Sequence, residues 1–336
     1  MLKHIFKIVW KNKRQNGLLL FELFVSLLIL SAVFAYLINN YEQVTTPLGF
    51  ETSNRYLLLF ADNSNQDSTA YYEKVELLEQ AFADMPEIVN HSFGNTVYPF
   101  SGNNWSNGVE INNVLMNYLN ASMDERFEET MGLKMHQGRW FNKPLQPSDQ
   151  AEIVINKVFY DTYFAGMNCI DSTFEVFDNR KVVGIVENYK YNGEFVDEEP
   201  VVLSYVDPHD ALYSQCVYIQ VTPETTAEFE LKLTEIVSRV TGISDFNVRN
   251  LDQSREESSR SSWLAIGSLS SLAIFLVINV AMGLFGVLWT SIKKRRYEIS
   301  LRKAMGATSQ NILQHFMIES LGLTTIAWLV GVAVML

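Results

Sequence analysis

The segment KKRRYEISLRKAMGATSQNILQHFMIES, from Lys293 to Ser320, lies between two apolar runs. Wound as a helix, its first half puts Tyr297, Leu301, Ala304 and Met305 on one face and Arg295, Glu298 and Arg302 on the other. Glu298 and Arg302 stand at the i,i+4 spacing of a favourable ion pair. Gly306 is placed to end the helix, and Thr308 to cap the one that follows. Such a helix can lay its apolar face in a partner's groove while its charges fix orientation. Periodicity alone leaves a second reading equally open, a basic loop that does no more than anchor topology.

The flanking runs show where this segment sits. Residues 17–38 are apolar apart from Glu22 and a few hydroxyls, and residues 263–289 carry no charge. Each exceeds the ~20 residues that cross a ~30 Å hydrocarbon core. A third run, residues 316–336, begins near Glu319 and reaches the last residue of the sequence, so it reads as an incomplete span. A cleaved signal peptide ending near Val33-Phe34-Ala35 is the competing reading of the first run, but its apolar region is longer than the usual ~7–15 residues. Glu22 lies close enough to the start of its run to reach the interface or a neighbouring helix. Gly267, Ser271, Asn279, Gly283 and Gly286 supply small and polar contacts of the kind that pack membrane helices.

Charge sets the orientation. Lys3, Lys7, Lys11, Lys13 and Arg14 precede the first span with no acid among them. Lys293, Lys294, Arg295, Arg296, Arg302 and Lys303 follow the second span against the single acid Glu298. Both clusters place their segments in the cytoplasm. The connection between them, residues 39–260, holds 35 acidic against 15 basic residues, a net of -20, as expected of a translocated segment. The whole chain has 336 residues and a net charge of -12, averages that by themselves describe an ordinary acidic protein.

The sequence divides into a basic amphipathic segment (1–16), a first span (17–38), an extracytoplasmic domain with a stalk (39–260), a second span (261–291), a cytoplasmic loop (292–315) and a third span (316–336). In the first of these, Leu2, Ile5, Phe6, Val9 and Trp10 fall on one side of a helix that would lie on the inner membrane surface, with an ordinary basic flank before the span as the other open reading. The domain mixes strand and helix signals, and its class is α+β in two sub-domains. Strands are expected over residues 55–60, 173–177, 181–186, 201–206, 216–221 and 246–251, with Asp178-Asn179 as a hairpin turn. Helices are expected over residues 71–82, with Val75, Leu78 and Phe82 inward, and around Phe229, Leu233, Ile236 and Val240. From Leu251 to Ser262 the chain runs into the second span without proline or glycine, so one helix can protrude as a stalk.

Nothing in the sequence assembles a catalytic constellation. There is no G-x-x-x-x-G-K-[ST] and no H-E-x-x-H, and the five histidines are scattered. Asp207-Pro208-His209-Asp210 reads as a turn rather than a metal site. Cys169 and Cys216 lie in the segment expected outside, where a disulfide and two buried thiols are both open. No cofactor is expected.

The run Arg295-x-x-Glu298-Ile299-x-Leu301-Arg302-Lys303-Ala304-Met305-Gly306-Ala307-Thr308, with Ile312 and Glu319-Ser320 beyond, resembles the signature of MacB/FtsX-type ABC permeases. Members often have glycine where this chain has Ser300. Met131-Gly132-Leu133-Lys134, Gly138-Arg139-Trp140-Phe141, Ile153-Val154-Ile155-Asn156 and Val182-Val183-Gly184-Ile185-Val186 look like landmarks of that family's periplasmic core domain. The resemblance implies a multi-pass subunit of the bacterial inner membrane with its N-terminus in the cytoplasm and its large domain in the periplasm. Such a subunit is not itself an enzyme, and the family's fourth transmembrane helix is missing here. The implied partners are a separate ABC ATPase subunit, a second permease subunit as homo- or heterodimer, and membrane lipid, with no nucleic acid. The implied ATPase-coupling residues are Arg295, Tyr297, Glu298, Leu301, Arg302, Lys303, Ala304, Met305 and Gly306. A membrane-anchored sensor or binding module without transport activity is the alternative.

Overall fold

The structure, a computed structural model, describes residues 13–314 apart from 61–67, 96, 103–105, 112–113, 145, 147–149, 175–178, 210–215, 227, 295, 307, 309 and 311–313. The surface segment expected at residues 1–12 and the third span therefore lie outside the described residues. The chain forms two compact units, one of residues 1–41 and 262–336, the other of residues 42–261.

The described residues of the first unit are chiefly helical. Helix α1 (Lys13–Thr45) has 33 residues, and a much longer helix late in the chain, Leu251–Lys294, has 44. At 1.5 Å per residue these are about 50 and 66 Å long, more than a ~30 Å hydrocarbon core requires. Phe24–Thr45 and Leu251–Gly286 are long and apolar enough to cross a membrane. On α1, Ser26, Val33 and Asn40 are buried at seven-residue spacing, a narrow stripe, while Phe21, Phe34 and Ile38 are exposed and suited to lipid.

The second unit is a mixed sheet. Its strands are β1 (Arg55–Phe60), β2 (Ile88–Gly94), β3 (Ser106–Ile111), β4 (Val114–Met123), β5 (Met135–Gly138), β6 (Glu152–Asn156), β7 (Thr173–Phe174), β8 (Arg180–Val186), β9 (Val201–Tyr205), β10 (Cys216–Val221) and β11 (Phe246–Asn250). The order is β11-β1-β10-β2-β4-β9-β6-β8-β5, with β3 on β4 and β7 on β8. The pairs β4–β9 and β6–β8 are parallel; the others are antiparallel. Between β2 and β4 the ladder narrows to the single pair Gly94↔Met123. The sheet is thus continuous but built in two halves, and this is the form that the two expected sub-domains take.

Both faces are covered. Leu57, Cys216 and Tyr218 of one half join Val154, Val183 and Leu203 of the other in one apolar cluster. Their chain neighbours Leu58, Val217 and Ile219 turn to a second cluster beneath α2 (Ser68–Ala83) and α5 (Glu228–Thr241). Ile153, Ile155, Val182 and Val202 enter a third, closed by α4 (Lys157–Phe159) and the π-helical turn Tyr160–Phe164 that continues it. Strands buried on both sides read as unbroken apolar runs instead of alternating ones. On α2 the residues turned inward are Val75, Leu78 and Phe82, as expected. On α5 they include Phe229, Leu233 and Val237; Ile236, also expected inward, packs half-buried against the same cluster, and Val240, expected inward, is only half-buried. The short α3 (Phe127–Met131) ends on Gly132 in the left-handed conformation.

The family-like landmarks are packing positions. Trp140 and Phe141 are buried. A Cβ at Gly184 would sit 2.1 Å from the carbonyl oxygen of Arg139, so β8 can approach this segment only with glycine there. Strands β7 and β8 pair through Thr173↔Lys181 and Phe174↔Arg180, and Asn179 stands at φ 60°; the expected hairpin turn otherwise falls on residues 175–178, which lie outside the described residues. Cys169 and Cys216 are both buried and free. They belong to different apolar clusters.

Candidate coupling site

The long helix Leu251–Lys294, hereafter α6, runs unbroken to the basic cluster. After Arg295 the chain resumes as α7 (Arg296–Ala304), a helix of nine residues. Tyr297, Leu301 and Met305, four apart, form an apolar row that is 87%, 55% and 74% exposed. Ala304 and Lys303 are exposed beside it. The end of α7 is set by Gly306 at φ 96°, whose N–H donates to Lys303 O at 3.0 Å. Ser300 donates its hydroxyl back to Arg296 O at 2.9 Å, so this polar residue is satisfied within the helix. Arg295 and the side chains of Glu298 and Arg302 lie outside the described residues, and with them the expected ion pair.

At the end of α6 the Lys293 ammonium lies 5.0 Å from the centre of the Trp289 ring, and Trp289 stacks on Phe285 with centroids 6.2 Å apart. An aromatic and a lysine paired in this way suit a membrane–water boundary.

Of the small and polar residues expected to pack the spans, Gly283 makes the close approach. A Cβ there would lie 3.6 Å from both carboxylate oxygens of Glu22, so Glu22 faces the neighbouring helix. Asn279 and Ser271 instead donate to carbonyls of their own helix, Phe275 O at 2.9 Å and Gly267 O at 2.8 Å. Gly267 and Gly286 face open space.

The Asp207–His209 segment is a turn, with Asp207 Oδ1 accepting from His209 N at 3.0 Å. The His209 ring lies between Asp207 Oδ1 at 3.0 Å and Glu76 Oε1 at 3.1 Å and stacks on Tyr72 at 4.1 Å. It tethers the turn to α2; Asp210 lies outside the described residues. Among the described residues no three His, Cys, Asp or Glu side chains converge as metal ligands.

A second polar knot binds α2 to the sheet. Glu79 accepts from Arg126 at 2.7 Å, and Arg126 also reaches His91 at 3.0 Å and Asp124 at 3.4 Å. Asp124 is fully buried and accepts from Ser92 Oγ at 2.5 Å and Phe93 N at 2.9 Å. Burial pushes its carboxyl up, against those hydrogen bonds and the nearby Arg126. Sequence reasoning missed this knot and also missed the loop of residues 187–199, where Lys190 and Glu194 reach the ends of α1 and α6. Isolated charges in a polar loop have no periodicity to betray them.

The chain matches the MacB-like periplasmic core domain over residues 23–236 and the FtsX-like permease C-terminal region over residues 270–336. It is 26% identical over 216 residues to the macrolide export ATP-binding/permease protein MacB of Aggregatibacter actinomycetemcomitans, covering 62% of this chain and 33% of that protein. It is 27% identical over 217 residues to the protein of the same name from Neisseria meningitidis, with the same coverage. The chain thus spans about a third of the length of these curated relatives. Solved structures similar to it include the periplasmic region of MacB from Actinobacillus actinomycetemcomitans, at 14% identity and TM-score 0.43, covering 62% of this chain and 94% of that one. Another is the extracellular domain of the noncanonic ABC-type transporter YknZ from Gram-positive bacteria, at 10% identity and TM-score 0.40, covering 59% and 100%. With a periplasmic-core match over most of its length and a permease match over the α6–α7 region, the chain belongs to the MacB/FtsX family of permeases.

Proposed function

We propose that this chain is the non-catalytic permease subunit of an ABC transporter, coupling ATP hydrolysis on a separate ATPase subunit to movement of its periplasmic domain. The observation that carries this reading is the exposed apolar row formed by Tyr297 and Leu301 of α7 and Met305 just after it, following a 44-residue helix. An apolar face of this kind on a basic helix is built for a groove, and the ATPase supplies that groove in this reading. ATP binding closes a dimer of ATPases, displaces α7 of each permease copy, and the long helices carry the displacement to the periplasmic side. The work done there is export, extrusion or release of a lipoprotein. Arg295, Glu298, Arg302 and Lys303 set the orientation of docking. The subunit sits in the inner membrane with its N-terminus and α7 in the cytoplasm.

The test is affinity purification of the full chain from its native host in detergent. A P-loop ATPase recovered in stoichiometric amount supports the reading. A chain recovered without one, from membranes in which that ATPase is expressed, contradicts it and leaves an anchored sensor.

A further inference from the structure

The last turn of α1 contains a backbone acceptor that its own helix cannot satisfy. The carbonyl of Gln43 would ordinarily bond the N–H four residues on, but residue 47 is Pro47, which has none. Lys190 Nζ takes that place, donating to Gln43 O at 2.8 Å. An ammonium at a helix C-terminus is also favoured by the helix dipole. The Gln43 side chain adds a second tie, donating to Asp197 Oδ1 at 3.0 Å.

Lys190 is not a surface lysine. It is 4% exposed, and burial holds its ammonium below the usual lysine range, against the opposing pull of Glu198, Asp197 and Glu194. Its second described bond is to Glu194 O at 2.9 Å. The side chain of Glu194 points to the other long helix: Oε1 accepts from Arg255 Nε at 2.9 Å and also from Arg255 Nη2, and Oε2 accepts from Ser259 Oγ at 3.2 Å. Charge-assisted bonds to a guanidinium on a carboxylate only 12% exposed are stronger than their surface counterparts. A continuous hydrogen-bonded path therefore runs from Gln43 through Lys190 and Glu194 to Arg255 and Ser259.

The loop that bears this path is itself fixed. Glu198 Oε1 accepts from Tyr189 N at 2.8 Å and Asn156 Nδ2 at 3.3 Å, and Tyr191 O accepts from Phe100 N at 2.7 Å. Tyr189 and Tyr191 are buried in the large apolar cluster. A Cβ at Gly49 would lie 1.9 Å from Asn188 O, so the chain leaving α1 is pressed against the same loop. At the start of α6, Asn250 Oδ1 caps Gln253 N at 3.1 Å and Thr52 donates to Asp252 at 2.6 Å.

We propose that Lys190 and Glu194 form a latch joining the last turn of α1 to the first turns of α6, so that the two helix ends yield together and not one at a time. Its use in transmission rests on the coupling role proposed above, but the latch itself does not. Two separate anchors would each hold one helix. A latch shares one residue, Glu194, between them, through its carbonyl on one side and its carboxylate on the other.

The experiment is amide hydrogen exchange on the purified full chain in lipid nanodiscs, without an ATPase. Glu194→Gln and Arg255→Met remove only the α6 side of the path, and Lys190→Met only the α1 side. The latch predicts that Arg255→Met speeds exchange at residues 42–46 as well as at 255–261, and that Lys190→Met speeds it at 255–261, by roughly five- to thirtyfold. If Lys190→Met does not fold, the Arg255→Met arm decides alone, since Arg255 is a partly exposed residue outside the apolar clusters. Loosening confined to the helix that each substitution touches overturns the proposal. Because no ATPase is present, failure of the coupling role leaves this result intact, and failure of the latch leaves ATPase recovery intact.

Discussion

Replacing Glu79 by Gln should loosen α2 from the sheet by an amount that depends on pH. The Glu79 carboxyl is held at about 2 by the neighbouring His91 and, against the cost of its burial, by Arg126. Of the two, Arg126 is the closer partner at 2.7 Å, whereas His91 Nε2 stands 3.8 Å away and accepts from Arg126 Nη1 at 3.0 Å. The folded value lies below the ordinary 4.5, so the contribution is fully present above pH 4.5 and fades as pH falls towards 2. The full linkage would be about 3 kcal/mol. The carboxylate is 32% exposed, and solvent screening reduces the figure to roughly 1–2 kcal/mol. The assay is urea unfolding of the full chain in detergent, equilibrated at each pH and read by pulse labelling of its two buried cysteines at neutral pH. At pH 7 the Glu79→Gln protein should show a five- to thirtyfold larger unfolded population, about the factor such an energy produces. The gap between the two proteins should close between pH 4.5 and pH 2, whatever the acidic domain as a whole does. Equal stability at pH 7, or a gap that does not narrow in acid, would refute the reasoning.

Two further outcomes follow from the same packing. Leu233→Ala, at a fully buried position on α5, should cost about 2–5 kcal/mol and shift the urea midpoint without changing the slope. Cys216 donates to Asn95 O at 2.7 Å and its thiol is pushed up to about 12, chiefly by burial. It should therefore resist maleimide in the folded chain and react once urea opens the sheet; rapid labelling in buffer would contradict its placement.

Much of the fold was legible because its signals are local. Residues 55–60 and 216–221 are apolar runs bounded by turn residues, and they are β1 and β10 with those bounds. The Leu251–Ser262 run, free of proline and glycine, is helical throughout. What the sequence hides is pairing. No periodicity marks β4 as parallel to β9 and β6 as parallel to β8, because register is set by faces meeting across the sheet. Ser106–Ile111 and Met135–Gly138 are polar edge strands whose hydrogen bonds, not whose side chains, place them. At the candidate site the amphipathic pattern located the α7 face and Gly306 its end. Lys190 and Glu194 were invisible, because Lys190 answers a missing N–H at Pro47 some 140 residues away in sequence.

The most direct measurement of the central claim is ATPase recovery with the full chain carrying Leu301→Asp, compared at matched protein levels with the unaltered chain and with Glu298→Lys and Arg302→Glu. A carboxylate at the centre of an exposed apolar row cannot enter an apolar groove without a large desolvation cost. The account predicts that Leu301→Asp abolishes recovery of the ATPase and that each charge reversal uncouples ATP hydrolysis from transport. Full ATPase recovery with Leu301→Asp, together with unchanged transport in both reversals, would contradict it.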